Sequence, residues 1–173
     1  MTTRILITGS RNWRNAYVVS NALAQTIAEH PGPVVVIHGA ARGADRLADA
    51  LAPTFGPHVT VERWAADWYG PCRPECRPGH RRRNEGRTIC PAAGHYRNAA
   101  MVAAGADVCL AFPLGESRGT RDCMRRAEGA GIRVVDCTRA AAAAEAAQPA
   151  KTTQLLARRY GSAADAQNTN TEK

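Results

Sequence analysis

The stretch Phe112-Pro113-Leu114-Gly115-Glu116-Ser117-Arg118-Gly119-Thr120 indicates the fold class of this chain. It follows an apolar run, 107–112, that has the length and composition of a buried strand, and it opens a segment, 119–129, that we expect to be helical. A buried strand, a loop of glycines and hydroxyl side chains, and a helix N-terminus together form a phosphate-binding loop in α/β proteins. The predicted ligand contacts here are Pro113, Gly115, Ser117, Gly119 and Thr120.

Two similar turns occur earlier in the chain. The first, Gly9-Ser10-Arg11, follows the β-branched run 4–8, and the second, His38-Gly39-Ala40-Ala41-Arg42-Gly43-Ala44-Asp45, ends the apolar run 34–38. Glycine lets the backbone approach a ligand closely, and arginine is a fork-shaped donor that suits phosphate. The predicted ligand contacts in these turns are Gly9, Ser10, Arg11, His38, Gly39, Arg42, Gly43 and Asp45.

Two of these side chains have a second interpretation. The Asp45 carboxylate either caps the helix that begins behind the turn, which is the commoner role, or accepts a hydrogen bond from a ribose hydroxyl. A histidine at the position of His38 is more typical of a hydrogen-bonded structural residue than of a general base.

Alternation of strands and helices predicts the architecture. Five runs have strand character: 4–8, 34–38, 59–64, 107–112 and 132–136. Helical patterns separate them, so we expect an α/β, Rossmann-like three-layer sandwich with a five-stranded parallel sheet. If the strand order is 3-2-1-4-5, the switch point lies between the first and fourth strands, and the turns at 9–11 and 115–120 face each other across one crevice. Arg97 and Asn98, at the start of the third helix, complete the predicted ligand set.

Domain boundaries follow from composition. Residues 1–139 form the predicted nucleotide-binding domain, with an insertion at 70–96. Residues 140–173 begin with an alanine-rich run that favours a helix and continue with few apolar residues, which predicts a flexible tail.

The insertion at 70–96 is polar and rich in arginine, proline and glycine. It contains Cys72, Cys76, His80 and Cys90, enough ligands for a tetrahedral metal site, with His95 as the alternative to His80. Because the segment has few apolar residues, a bound zinc ion would supply its folding energy, and four protein ligands predict a structural rather than a catalytic zinc. The alternative is a disordered basic loop with incidental cysteines. Cys109, Cys123 and Cys137 lie in apolar patterns and are predicted to be buried.

Charge and hydropathy limit the classes of function. The 173-residue chain carries a formal charge of +8, which favours an anionic partner without separating nucleotide, nucleic acid and membrane surface. No apolar stretch reaches about 18 residues and no leader precedes the first strand, so we expect a cytoplasmic protein with no membrane partner. Arg81-Arg82-Arg83 is typical of a solvated charge run, although such residues also contact nucleic-acid phosphates.

Several ordered motifs together resemble one family. They are Ile5-Leu6-Ile7-Thr8-Gly9-Ser10-Arg11, His38-Gly39-Ala40-Ala41-Arg42-Gly43-Ala44-Asp45, Ala65-Ala66-Asp67-Trp68, Arg97-Asn98-x-x-Met101 and Phe112-Pro113-x-Gly115-x-Ser117-x-Gly119-Thr120. This set resembles the YspA-type (cpYpsA-related) SLOG family, which is related to Lonely Guy proteins and to DNA-processing protein A. The resemblance implies a homodimeric Rossmann-like protein that binds or senses a nucleotide or an ADP-ribose-like ligand.

The resemblance leaves the reaction open. Lonely Guy enzymes cleave an N-glycosidic bond and keep a glutamate after their Pro-Gly-Gly-x-Gly-Thr motif, whereas this chain has Leu114 for the first glycine and Arg121-Asp122-Cys123 after Thr120. Weak nucleotide or N-glycosidic hydrolysis is therefore a hypothesis with no assigned catalytic residue. The alternative function is single-stranded nucleic-acid binding, as in DNA-processing protein A.

Overall fold

Five parallel strands form the central sheet of the computed structural model, which describes residues 1–139. The sheet strands are β1 (Thr3–Gly9), β2 (Val34–His38), β3 (Val59–Arg63), β6 (Val108–Phe112) and β7 (Arg133–Asp136). The helices are α1 (Ala16–Ala28), α2 (Ala44–Leu51), α3 (Ala93–Ala103) and α4 (Arg118–Gly129), and a short 3-10 helix covers Ala52–Phe55. A separate antiparallel hairpin consists of β4 (Arg82–Asn84) and β5 (Arg87–Ile89).

The strand order confirms the predicted topology. It is β3-β2-β1-β6-β7, which is 3-2-1-4-5 when the sheet strands are counted along the chain. β1 pairs with β2 on one side, with Ile5 opposite Val36, and with β6 on the other, with Ile5 opposite Val108. The switch point therefore lies between β1 and β6, where an open α/β sheet leaves a crevice at the carboxyl ends of its strands.

Alternation along β1 explains the three layers. Ile5 and Ile7 point into an apolar cluster with Val19 and Leu23 of α1, whereas Leu6 points into a second cluster with Met101 and other residues of α3 and α4. All three β1 side chains are completely buried, as expected of a central strand covered on both faces. Cys109, Cys123 and Cys137 are buried as predicted.

The predictions differ from the structure mainly in the insertion and its flanks. Helix α3 begins at Ala93 rather than near Tyr96. The hairpin was not predicted, and its two-residue turn, Glu85-Gly86, has positive φ angles of 50° and 78°, which is typical of a type I′ turn. The predicted alanine-rich helix and tail at 140–173 lie outside the described residues.

None of the helices within residues 1–139 has the length and apolar character needed to cross a bilayer.

Candidate functional site

The turns after β1, β2 and β6 pack directly against one another. The backbone N–H of Ser10 donates to the carbonyl oxygen of Phe112 at 3.0 Å, and the N–H of Ala44 donates to the carbonyl oxygen of Ser10 at 3.3 Å. Gly43 has a φ of +79°, and a Cβ there would overlap the same Ser10 oxygen. Glycine tolerates the positive φ and has no Cβ to overlap Ser10. Gly43 therefore allows the turns after β1 and β2 to pack closely together.

A cavity of about 930 Å³ opens at this end of the sheet. Eleven of the predicted ligand contacts line it: Gly9, Ser10, Arg11, Gly39, Arg42, Asp45, Arg97, Asn98, Ser117, Gly119 and Thr120. The other four, His38, Gly43, Pro113 and Gly115, are not among the residues that line it. The turns at 9–11 and 117–120 thus share one cavity, in agreement with the switch-point argument.

His38 is held inside the protein by both ring nitrogens. Nδ1 accepts a hydrogen bond from the N–H of Ala40 at 3.0 Å, and Nε2 lies 3.0 Å from Oδ1 of Asp49. Because Nδ1 is an acceptor, Nε2 carries the proton and donates to Asp49. With 1% of its surface exposed, His38 has the structural role that the sequence favoured over general-base chemistry.

Asp45 stabilises the turn after β2 and does not cap α2, so that interpretation is wrong. Gly43 occupies the N-cap position, without a side-chain hydrogen bond. Oδ2 of Asp45 instead accepts from the N–H groups of Gly39 at 2.9 Å and Ala41 at 3.3 Å. Burial raises the pKa of Asp45, although the neighbouring Arg97 and these two N–H groups act in the opposite direction.

Arg97 connects α3 to the ends of β2 and β3. Its Nη1 donates to the carbonyl oxygens of Gly39 and Trp64, and its Nε donates to Oδ1 of Asn98 at 3.1 Å. Much of this guanidinium is therefore already engaged by protein acceptors. Arg97 borders the cavity mainly as a support, and among its donor nitrogens Nη2 alone has no acceptor within residues 1–139.

Asn98 and Asp122 fix the N-terminal part of α4 to α3. Nδ2 of Asn98 donates to the carbonyl oxygen of Gly119 at 3.0 Å and to Oδ2 of Asp122 at 3.2 Å. The same Oδ2 accepts from Nε of Arg126 at 3.0 Å and lies 3.2 Å from Nδ1 of His95. Desolvation raises the pKa of Asp122, but these hydrogen bonds outweigh it and the net shift is downward. The sequence showed only the i,i+4 spacing of Asp122 and Arg126, not this network.

The cavity lining is strongly basic. It includes Arg11, Arg42, Arg82, Arg97 and Arg118, whereas Asp45 is the single acidic residue among the described residues that line it. Within residues 1–139, no carboxylate pairs with Arg11, Arg42 or Arg82. The Arg11 guanidinium lies 5.3 Å from the ring centroid of Trp68, a cation–π contact, and its N–H groups have no acceptor in the part of the chain that the structure describes. An anionic ligand is the chemistry that this lining favours.

The four predicted metal ligands come together in the insertion. One ligand atom from each of Cys72, Cys76, His80 and Cys90 lies within 4.8 Å of the others. Nε2 of His80 is 3.0 Å from Sγ of Cys72 and 3.5 Å from Sγ of Cys90. Three thiols and one imidazole that converge in this way fit a tetrahedral metal ion. The histidine of the cluster is His80, because His95 pairs with Asp122 instead.

Tyr96 supports this cluster from α3. Its hydroxyl lies 3.2 Å from Sγ of Cys76, and this hydrogen bond lowers the pKa of the Cys76 thiol. The same contact raises the pKa of Tyr96 to about 12. A hydrogen bond to a ligand sulfur both orients it and favours the thiolate that binds metal.

The insertion also forms part of the cavity wall, which the sequence did not predict. Its contribution comes from Arg82, Asn84, Ile89, Pro91, Gly94 and His95, and Trp68 and Tyr69 line the cavity directly before it. Arg81 holds the insertion together, because its guanidinium donates to the carbonyl oxygens of Gly70 at 2.6 Å and Thr88 at 3.0 Å. Of the three consecutive arginines, Arg81 is thus internal, whereas Arg82 faces the cavity.

Comparison with known proteins places the chain in a family. A family model described as YspA, cpYpsA-related SLOG family matches residues 3–69. The gene 61 protein of Mycobacterium phage D29 is 46% identical over 136 residues, which are 77% of this chain and 94% of the phage protein. The chain belongs to the YspA, cpYpsA-related SLOG family.

A solved structure is a more distant likeness of this SLOG protein. The crystal structure of Acinetobacter baumannii MurG superposes with a TM-score of 0.43 and 13% identity, covering 76% of this chain and 33% of the MurG chain. The family assignment rests on the family model and the phage relative. The first two strands and their turns lie inside the matched range 3–69, whereas Arg97, Asn98 and the loop at 112–120 lie beyond it.

Proposed function

We propose that this SLOG protein binds or senses a nucleotide or an ADP-ribose-like ligand in the cavity at the carboxyl ends of β1, β2 and β6. The observation that carries the proposal is the convergence of three backbone turns on a cavity with five arginines and one carboxylate, Asp45, whose Oδ2 already accepts two N–H groups. Membership of the SLOG family supports the same ligand class.

The distribution of carboxylates favours binding over hydrolysis. Glycoside hydrolysis ordinarily uses two carboxyl groups at the scissile bond. Among the described residues, Asp45 is the one acidic residue of the lining. Asp122 is not a lining residue, and its carboxylate is engaged by Asn98, Arg126 and His95. Neither is arranged as half of an exposed catalytic pair, so we assign no catalytic residue and propose a binding or sensing role.

Calorimetry with AMP, ADP-ribose and NAD tests the proposal. Gly119 lies in the first turn of α4 against the cavity, where a Cβ would meet no atom within 4 Å, and Gly129 ends the same helix in equally open space. Gly119→Val places two methyl groups at the cavity and should weaken binding more than about tenfold. Gly129→Val is the matched control and should bind as the wild type does. Absence of binding to all three probes, or equal affinity of the two variants, contradicts the proposal.

We also propose that the metal of the Cys72, Cys76, His80 and Cys90 cluster is a structural zinc ion. The support is the donor set, since three thiolates and one imidazole satisfy tetrahedral zinc completely and leave no position for a substrate. Metal analysis of the purified protein tests it, with one zinc per chain as the expected result.

Single-stranded nucleic-acid binding is the second candidate function. The observation that favours it is the aromatic and basic rim, where Tyr69 is 53% exposed and Arg87 stacks 4.2 Å from its ring centroid. Oligonucleotides of increasing length separate the candidates. Affinity that rises with length and falls steeply with salt supports nucleic acid, whereas length-independent binding of mononucleotides supports the first proposal.

The homodimer is a further proposal that rests on the family resemblance. Sedimentation velocity over a range of concentrations tests it. A single species with the mass of one chain at all concentrations contradicts it.

A further inference from the structure

The hairpin of the insertion has two faces with different surroundings. Side chains alternate along a strand, so Arg82 and Asn84 lie on one face and Arg83 on the other. Arg82 and Asn84 line the cavity, as does Ile89, which is opposite Arg82 in the β4–β5 register. Arg83 pairs in register with Thr88 and is not part of the lining. One face of the hairpin is therefore directed to the ligand cavity.

The metal cluster lies at the base of this hairpin. His80 precedes β4 by two residues, and Cys90 follows β5 directly. The N–H of Cys90 donates to the carbonyl oxygen of Trp68 at 2.8 Å, which ties the exit of the hairpin to a residue of the cavity wall. A metal ion held by His80 and Cys90 thus fixes both ends of the element that carries Arg82.

Arg82 differs from its neighbour in its partners. Arg81 satisfies its donors with the carbonyl oxygens of Tyr69, Gly70 and Thr88. Arg82 has no acidic partner within residues 1–139 and lines the same cavity as the turns at 9–11 and 117–120. An arginine that is held at a cavity without an intramolecular counter-ion is suited to a second anionic group of the ligand.

We propose that the metal-bound hairpin is the second half of the ligand site. The turns after β1, β2 and β6 hold one phosphate, and Arg82 with Asn84 binds a second phosphate and the polar group beyond it. The ligand class is accordingly a diphosphate-bridged nucleotide rather than a nucleoside monophosphate. This inference rests on the proposed nucleotide-binding function.

Coupling between metal and ligand follows from this arrangement. If the metal orders the hairpin, it raises the affinity for a diphosphate-bridged ligand, and by linkage the ligand raises the affinity for the metal by the same factor. A monophosphate that contacts the three turns alone does not sense the metal. The insertion thereby makes ligand affinity dependent on zinc.

Calorimetry with AMP and ADP-ribose on three zinc-loaded proteins tests the first part. Arg82→Ala should weaken ADP-ribose binding by about tenfold to a hundredfold, as expected for loss of a charge-assisted hydrogen bond, and AMP binding by less than about twofold. Arg83→Ala is the matched control, with the same charge on the opposite face of the hairpin, and should change neither.

A chelator titration tests the second part. Zinc release is followed with a metal-sensitive dye. We expect ADP-ribose, but not AMP, to raise the chelator concentration at which half of the zinc is released. Equal protection by both ligands overturns the inference. So does an equal loss of AMP and ADP-ribose affinity in Arg82→Ala, or ADP-ribose binding that is no tighter than AMP binding in the wild type. In each of these cases AMP still binds and the proposed function survives, whereas failure of the wild type to bind AMP, ADP-ribose and NAD overturns both.

Discussion

The guanidinium of Arg97 donates a hydrogen bond to the carbonyl oxygen of Gly39, a residue 58 positions earlier in the chain. The same Nη1 reaches the carbonyl oxygen of Trp64 at 3.2 Å, so one side chain of α3 joins the ends of β2 and β3. It also supplies a positive charge next to the buried Asp45. Arg97 thus holds together, at the cavity, the two segments that follow β2 and β3.

Arg97→Ala should lower the free energy of unfolding by roughly 2–4 kcal/mol, because two carbonyl groups lose this donor and the buried Asp45 loses the positive charge that stabilises it. Urea denaturation measures the change. Arg121→Ala is the control, since Arg121 is exposed and bonds to the carbonyl oxygens of Gly115 and Glu116 at the surface. Similar losses in the two variants would show that Arg97 has no special role.

Gly43→Ala should be more destabilising than Gly105→Ala. Both glycines have φ near +80°, but a Cβ at Gly43 overlaps the Ser10 carbonyl oxygen, whereas nothing lies within 4 Å at Gly105. Gly105→Ala should cost about 1 kcal/mol from backbone strain alone. Gly43→Ala should cost roughly 2 kcal/mol more, because the turns after β1 and β2 must separate. Equal losses of unfolding free energy in the two variants, measured by thermal or urea unfolding, would show that the positive φ angle accounts for the whole effect and that the overlap with Ser10 does not.

Asp122→Asn should reduce stability in a pH-dependent way. The folded-state pKa of Asp122 is lowered, so its contribution is fully present above the ordinary aspartate pKa of about 3.9 and is lost as the pH falls through the folded value. At neutral pH the variant should be less stable by roughly 1–3 kcal/mol, and the difference from the wild type should narrow below about pH 4.

Glu116→Gln is the control for this measurement. Glu116 pairs with Arg118 at 3.5 Å, and both side chains are more than four-fifths exposed, at 85% and 89%. Exposed pairs contribute little, so its unfolding curves should follow the wild type at every pH. A constant difference between wild type and Asp122→Asn from pH 7 to pH 2 would refute the electrostatic account of Asp122.

Metal removal should divide the six cysteines into two groups. After treatment with a strong chelator, the three thiols of the cluster, Cys72, Cys76 and Cys90, should react with an aromatic disulfide reagent. Cys109, Cys123 and Cys137 should react only in denaturant, because burial excludes the reagent and raises their pKa values, that of Cys123 to about 11 and that of Cys137 to about 12.

Two controls complete the thiol measurement. Cys76→Ser should release metal at a lower chelator concentration and show one fewer chelator-dependent thiol. Cys137→Ser should leave the chelator-dependent thiols unchanged. Rapid reaction of the cluster cysteines without any chelator, in protein with a full metal content, would contradict the assignment.

The sheet could be predicted from the sequence because its signals are local. Each sheet strand is a short apolar run that ends at a turn residue, and the strand order then follows from α/β topology. The candidate metal cluster could also be predicted, since Cys72, Cys76, His80 and Cys90 lie close together in the chain.

The missed features depend on contacts between distant residues or on weak local patterns. β4 and β5 have three residues each, and Arg82, Arg83 and Asn84 give no hydrophobic alternation that would indicate a strand. The role of Asp45 could not be predicted, because its hydrogen bonds to the N–H groups of Gly39 and Ala41 depend on how the backbone of the turn folds back toward the carboxylate. The start of α3 had a signal in Pro91, which precedes Ala92 and Ala93, since proline is common at helix starts.

The compactness of the metal cluster along the chain has a consequence for the order of folding. Its four residues span positions 72–90. Pairing of β1 with β6 instead requires contact between Ile5 and Val108, which are separated by most of the described chain. Short loops close faster and at lower entropic cost than long ones. A metal ion bound by this cluster would therefore close its loop early and shorten the free chain between β3 and β6, so that the long-range pairing of β1 with β6 would begin from a partly tethered chain.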